Sequence, residues 1–234
     1  MAHALDPSRI EVVGLDADDT LWANEMIFRD AEAEIARLLA AYEVPHVLQR
    51  EMYAIETRNL AAYGYGIKGF VLSMVELAVR TSEGQVANET IERILAIGRE
   101  MLAAPVEVLP GVHEALEALR ARYRLVVITK GDLLDQNRKL ARSGLLAYFH
   151  HTEVVSDKRT EDYAEVLRRL DLRGEAFLMV GNSLKSDVLP VLPLGAQAVH
   201  VPYHVTWEHE RAEADEHQAY VELADLGQLV GLLG

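Results

Sequence analysis

A short apolar run, Ile10-Glu11-Val12-Val13-Gly14-Leu15, passes directly into Asp16-Ala17-Asp18-Asp19-Thr20. The run is rich in β-branched residues and reads as a buried strand. Asp16 and Asp18 are two positions apart, so in extended chain their side chains leave the same face. The strand therefore carries like charges at its carboxyl end, where open α/β sheets place their ligands. Left unpaired, such carboxylates repel one another and cost desolvation energy. The stretch calls for a positive charge, and a divalent metal is the simplest candidate.

The chain that follows changes rhythm. Ile27, Ala31, Ile35, Leu38, Leu39 and Tyr42 fall at helical spacing, with Pro45 closing the element. A second helix is expected over Leu48 to Tyr63, and Tyr63-Gly64-Tyr65-Gly66 marks a loop. Val71, Met74, Val75 and Ala78 give a third helix, and Asn88 reads as the N-cap of a fourth running to Leu102. So long a helical stretch is an insert rather than a connection. Beyond Pro110-Gly111 the pattern alternates helix and strand, as a parallel α/β sheet requires. Strands are expected at Arg124–Thr129, His150–Val155, Ala176–Gly181, Gln197–Val201 and Tyr220–Leu223. Helices are expected at Val112–Arg122, Leu133–Ser143 and Thr160–Leu170, from Ser183 until Pro190 and Pro193, and from Leu226. The domains are read as an α/β core over 1–21 and 105–234 with a helical domain over 22–104.

Composition removes several function classes. At 234 residues, half of them hydrophobic, the chain has ample material for a core. A net charge of −14 argues against nucleic acid or an anionic membrane as partner. It also means that an anion site must be built locally. With no cysteine, disulfides and thiolate metal sites are excluded. Met1 to Arg9 lacks the apolar run of a leader, and no stretch approaches the roughly 18 apolar residues of a membrane span. The expectation is a cytoplasmic protein, monomer or homodimer.

Polar residues of interest follow three more strands: Thr129-Lys130-Gly131-Asp132, then Lys158 in Ser156-Asp157-Lys158-Arg159-Thr160, then Gly181-Asn182-Ser183-Leu184-Lys185-Ser186-Asp187. Singly, each has an ordinary explanation. Thr129 and Asn182 suit helix N-caps, Lys158 suits a solvated surface, and Asp187 suits a helix dipole. The polar tail from Tyr203 to Ala219, with His204, Trp207, His209 and His217, reads as a surface loop, since it lacks a fixed third ligand. It is the order of the four groups, each at a strand end, that points to function.

In that order the sequence resembles the haloacid dehalogenase-like hydrolase superfamily, with its insert placed as in the C1-cap branch. Asp16, Asp18 and Thr20 match the DxDxT motif, Thr129 the second motif, Lys158 the third, and Gly181, Asn182 and Asp187 the fourth, incompletely. The resemblance spans essentially the whole chain. It implies a Rossmann-like parallel-sheet core with helices on both faces and an inserted helical-bundle cap. It further implies a Mg2+-dependent phosphatase acting on a small phosphate monoester of some phosphorylated metabolite. Asp16 would be the nucleophile, giving an aspartyl-phosphate. Asp18 would transfer protons, with a pKa raised by the neighbouring carboxylates. Thr129 and Lys158 would hold the phosphoryl oxygens. Mg2+ would be bound by Asp16, the backbone carbonyl of Asp18, and Asp187.

The departures are informative. Asn182 stands where the family usually has a carboxylate; an amide oxygen still ligates Mg2+ but brings no charge. Asp19 reads as a structural residue of the turn. Lys130 is either a surface lysine or extra positive charge near the phosphate, and Arg159 is a minor rival to Lys158. Asp18 argues against a dehalogenase, and the lone insert lysine, Lys68, argues against a Schiff-base phosphonatase. A phosphomutase or other phosphotransferase remains an alternative, as does a catalytically impaired binding protein. Receiver domains carry their phosphorylated aspartate after a later strand and lack such an insert. Substrate contacts are expected from Trp22, Asn24 and Glu25, just after the first motif, and from Tyr63, Tyr65 and Lys68 on the glycine loop.

Overall fold

The computed structural model describes residues 5–205, 207–212 and 219–234; His217 and the first four residues of the supposed leader-free start lie outside them. The chain divides into two compact units, one of Met1–Ala23, Val106–Lys130 and Gln136–Gly234, the other of Asn24–Pro105 with Gly131–Asp135.

The first unit opens with β1 (Val12–Leu15). The second is built on α1 (Glu25–Leu38), α2 (Pro45–Tyr63), α3 (Ile67–Thr81) and α4 (Asn88–Ala103). Their apolar stripes close on a core that includes Ile35, Leu39, Met52, Ile55, Phe70, Met74, Leu77, Ile94 and Ile97. Pro45 starts α2 instead of ending α1, because a residue without an N–H costs nothing in a first turn. Ala87, not Asn88, is the N-cap of α4.

The α/β unit then continues through α5 (Val112–Arg120), β2 (Arg124–Lys130), α6 (Leu133–Arg142, whose first residues fall in the helical unit) and β3 (His151–Val155). It ends with α7 (Thr160–Arg169), β4 (Phe177–Gly181), β5 (Gln197–His200), β6 (Val221–Glu222) and α8 (Gly227–Leu233). The strands form one parallel sheet in the order β3-β2-β1-β4-β5-β6, the Rossmann-like arrangement expected. Alternation sorts the strand residues into two layers. Val13, Leu15, Leu125, Val127, Leu178 and Val180 pack with α5 and α8, while Val12, Val126, Ile128, Phe177 and Met179 pack with α7. Gly14 is required by this second layer, since a Cβ there would lie 2.5 Å from the Phe177 ring. No helix among the described residues is long and apolar enough to cross a membrane.

Chain order reverses at β1, which pairs with β2 on one side and β4 on the other. The crevice beyond the carboxyl ends of β1 and β4 is thus the switch point at which such sheets bind ligands. Asp16 and Asn182 are the residues standing there. The helix expected from Ser183 reduces to one five-residue turn, Leu184–Val188, wound with i to i+5 bonding. Such wide turns occur disproportionately at functional sites.

Candidate active site

Asp16 leaves β1 with its backbone N–H still donating to Val180 O at 2.9 Å, so the strand ladder fixes its base. The next residues curl tightly. Asp19 adopts φ 61° and donates its N–H to Trp22 O at 2.7 Å, a left-handed turn position that explains its structural role. The turn brings Thr20 back, and its hydroxyl lies 3.2 Å from Asp16 Oδ2 while accepting from the Asn182 N–H at 3.1 Å. Strand end and motif loop are thereby stitched together through one threonine.

Lys158 reaches the same carboxylate from the loop after β3. Its Nζ donates to Asp16 Oδ1 and, at 2.7 Å, to Asp187 Oδ1. All three groups are buried, at 6 %, 3 % and 1 % exposure for Asp16, Lys158 and Asp187. A carboxylate–ammonium–carboxylate triad carries one negative charge too many. Burial pushes Asp16 up to about 7, against the pull of Lys158 and with Asp187 and Asp18 adding to the rise. Lys158 loses by burial but is raised overall by its two carboxylates, so it stays an ammonium. Gly181 makes room for Asp187, because a Cβ there would lie 2.2 Å from its Oδ2. That oxygen instead accepts the Ser183 N–H at 3.0 Å.

Asp18 behaves differently from expectation. Burial alone would raise it, but its carboxylate accepts from Lys139 Nζ at 2.9 Å, Gln136 Nε2 at 2.7 Å and Trp22 Nε1 at 2.7 Å. Together these hold it below the usual carboxylate range. The expected rise is therefore reversed, because a cation and two N–H donors outweigh burial. Trp22 is likewise corrected from substrate contact to support of Asp18: it is 1 % exposed and spends its indole N–H on that carboxylate.

The remaining candidates separate. Thr129 is buried at the end of β2, its hydroxyl 3.5 Å from Lys130 O. Lys130 is no surface lysine. Its ammonium, 15 % exposed, bonds Ser186 Oγ at 2.8 Å and forms an ion pair with Glu210. Arg159 is exposed and pairs with Asp162, which leaves Lys158 without a rival. Asn24 and Tyr65 belong to the helical unit, Asn24 at the start of α1 with its side chain outside the cap and Tyr65 between two glycines. Lys68 pairs with Asp132 at 2.8 Å. Among the described residues, His204 and His209 join no metal cluster.

Among the described residues, no three His, Cys, Asp or Glu side chains are arranged to hold a metal ion. The donors that converge at the switch point are mixed. The amide end of Asn182 carrying Oδ1 lies 3.2 Å from Asp16 Oδ2, 3.3 Å from Thr20 Oγ1 and 3.3 Å from the backbone oxygen of Asp18. Acceptors so gathered are satisfied by an NH2 group turned toward them, or by a cation with the amide oxygen as a further ligand. Oxygen donors of this hardness, beside a triad short of one positive charge, fit Mg2+.

Sequence reasoning missed Gln136, Lys139, Tyr163, Ser183, Ser186 and Glu210. Gln136 and Lys139 had a signal, because polar residues three apart share one face of α6. Tyr163, inside the expected helix, is buried and its hydroxyl donates to Ser186 O at 3.0 Å. Glu210 had none.

Comparison with known proteins agrees with this architecture. The family model of haloacid dehalogenase-like hydrolases matches residues 10–191. A glyceraldehyde 3-phosphate phosphatase of Methanothermobacter thermautotrophicus is 25% identical over 96% of this chain and the whole of its own length. A human N-acylneuraminate-9-phosphatase is 23% identical over 82% of each chain. A crystal structure of a haloacid dehalogenase-like family hydrolase from Xanthomonas campestris superposes with a TM-score of 0.86 at 42% identity, covering 98% of this chain and 93% of that one.

Proposed function

The chain belongs to the haloacid dehalogenase-like hydrolase family, and on that premise we propose that this phosphoric monoester hydrolase cleaves a small phosphorylated metabolite through an aspartyl-phosphate on Asp16. The observation that carries the reading is the buried Asp16–Lys158–Asp187 triad at the switch point of the sheet. An idle cluster of this kind would only destabilise the fold.

The chemistry follows from the contacts. Asp16 attacks phosphorus while the bond to the leaving oxygen breaks, and Asp18 gives that oxygen a proton. Water then attacks the phosphoryl group, passing its proton to Asp18, and Asp16 is released with inorganic phosphate. Asp18 rests as an anion under Lys139, Gln136 and Trp22, the form that takes up the water proton. A phosphate dianion entering beside it raises its pKa toward the protonated form needed first. Thr129 and Lys158 bind the equatorial oxygens, where charge concentrates. Asp16, the Asp18 backbone carbonyl, Asn182 and Asp187 are the residues that would hold Mg2+. When bound, the ion supplies the missing positive charge and screens the phosphate from the carboxylates. Asn24 and Tyr65 are candidates for contact with the rest of the substrate.

Hydrolysis of an aryl phosphate with and without Mg2+, by wild type and Asp16→Asn, tests the proposal. Wild type should be active with the metal, and the variant should lose at least about 10^3-fold in kcat. Activity that survives the substitution would overturn the covalent route.

A further inference from the structure

We propose that Glu210 is a positioning residue: from the segment after β5 it fixes the turn that presents Asp187 and neutralises Lys130 at the end of β2. The inference rests on the reading of Asp187 as part of the catalytic site and adds a residue to that site which neither its motifs nor its family pattern marks.

The geometry is that of a clamp. Residues 183–188 make one wide turn, with Asp187 N–H donating to Ser183 O at 2.8 Å and Leu189 N–H to Leu184 O at 2.9 Å. A turn this short has little hydrogen bonding of its own to resist deformation. It is instead held from outside. Ser183 Oγ donates to Glu210 Oε2 at 2.6 Å, and Ser186 Oγ donates to the same oxygen. The other oxygen, Oε1, takes the Lys130 ammonium, which also bonds Ser186 Oγ at 2.8 Å. Beside it, Lys185 Nζ donates to His209 O at 2.7 Å. Two serines on one turn and one lysine on β2 thus converge on a single carboxylate that is 12 % exposed.

The consequence reaches Asp187 along two routes. Ser183 both donates its hydroxyl to Glu210 and gives its backbone N–H to Asp187 Oδ2, so movement of one is movement of the other. Ser186 is its immediate chain neighbour. Charge is controlled as well. Glu210 supplies a carboxylate to the Lys130 ammonium, the chain neighbour of Thr129. Partners in this outer position govern how well a ligand side chain is oriented.

The test compares wild type, Glu210→Ala, Glu210→Gln and the surface control Glu165→Gln. Mg2+ affinity is read by calorimetry, amide hydrogen exchange is read across residues 183–189, and kcat and KM are read on an aryl phosphate. In Glu210→Ala, Mg2+ should bind about tenfold more weakly and kcat should fall about tenfold with a smaller change in KM. Exchange should quicken across the turn and not across α7. Glu210→Gln keeps the shape and one acceptor, so it should show the same pattern at roughly a third of the amplitude; it carries the test if the alanine variant fails to fold. Mg2+ affinity and kcat within about twofold of wild type in a folded Glu210→Ala would overturn the proposal, leaving Glu210 as a staple for the tail. Inactivity of wild type itself would count against the hydrolase reading alone, because the affinity and exchange measurements would still judge Glu210.

Discussion

The two units each bury a group of carboxylates, and they stabilise them by opposite means. At the strand ends of the α/β unit, Asp16 and Asp187 take Lys158 into burial with them. In the helical unit, Glu25 and Glu32 share Arg29 at 3.1 and 3.4 Å. Glu56 stands against both of those carboxylates, and burial together with their like charge lifts it to about 8. The first group draws in a buried ammonium that works against the rise burial imposes on Asp16; the second sets like charges beside Glu56, which takes up a proton. Charge held in burial at the cost of desolvation marks a site kept for chemistry, whereas a carboxyl that can simply protonate asks nothing of a ligand.

Removing the cation from the first group is the most severe way to break the contrast. Lys158→Met leaves two carboxylates buried without their partner and should cost about 3–5 kcal/mol of stability, read from denaturant melts. Turnover of an aryl phosphate should fall about 10^2–10^3-fold, since a donor to the transferring group is lost as well. A variant as stable as wild type would mean that the triad protonates as readily as Glu56, and the distinction between the units would collapse.

Adding an anion sharpens the same contrast from the other side. Asn182→Asp places a third carboxylate 3.2 Å from Asp16 Oδ2. Mg2+ affinity should rise about tenfold, with the metal-free protein less stable by about 1–2 kcal/mol. Calorimetry and melts with and without Mg2+ measure both. Unchanged Mg2+ affinity would remove Asn182 from the ligand set.

What the sequence reveals of these groups depends on where their partners lie along the chain. Asp16, Asp18 and Thr20 are legible because one strand end and its turn hold all three. Lys158 and Asp187 are legible because they too follow strands of a parallel sheet, whose carboxyl ends must share one crevice. The sheet itself is legible for the same reason, since short continuous apolar runs alternating with helices are what a parallel sheet covered on both faces requires. Asp18 shows where this reasoning stops. Nearness to Asp16 in sequence suggests a raised pKa, but the deciding groups, Gln136 and Lys139, come from a helix 118 and 121 residues away. Glu210 lies in a polar tail with no period at all, and only the folded chain brings it to Ser183, Ser186 and Lys130. Trp22 illustrates a further gap: a residue beside a motif can face the core and still serve the motif through one N–H.

The gentlest probe is Glu56→Gln, which touches only the second group. The folded pKa of Glu56, about 8, lies above its ordinary 4.5, so the native state binds the proton more tightly than the unfolded chain does. Below pH 4.5 both states are protonated and the group contributes no difference. Between 4.5 and 8 the unfolded chain releases its proton while the native state retains it, and wild-type stability declines as pH rises. Above 8 the loss is complete and the curve levels. Glutamine carries no titrating proton and should remove this slope. Water reaches the partly buried carboxyl and trims the full linkage value, leaving an expected gain of about 1–2 kcal/mol at pH 9 and none at pH 4. Urea melts of both proteins across that range give the answer. If the two curves run parallel from pH 4 to 9, Glu56 titrates in the native state as it does unfolded, and above about pH 4.5 the helical unit carries buried negative charge without a proton to relieve it.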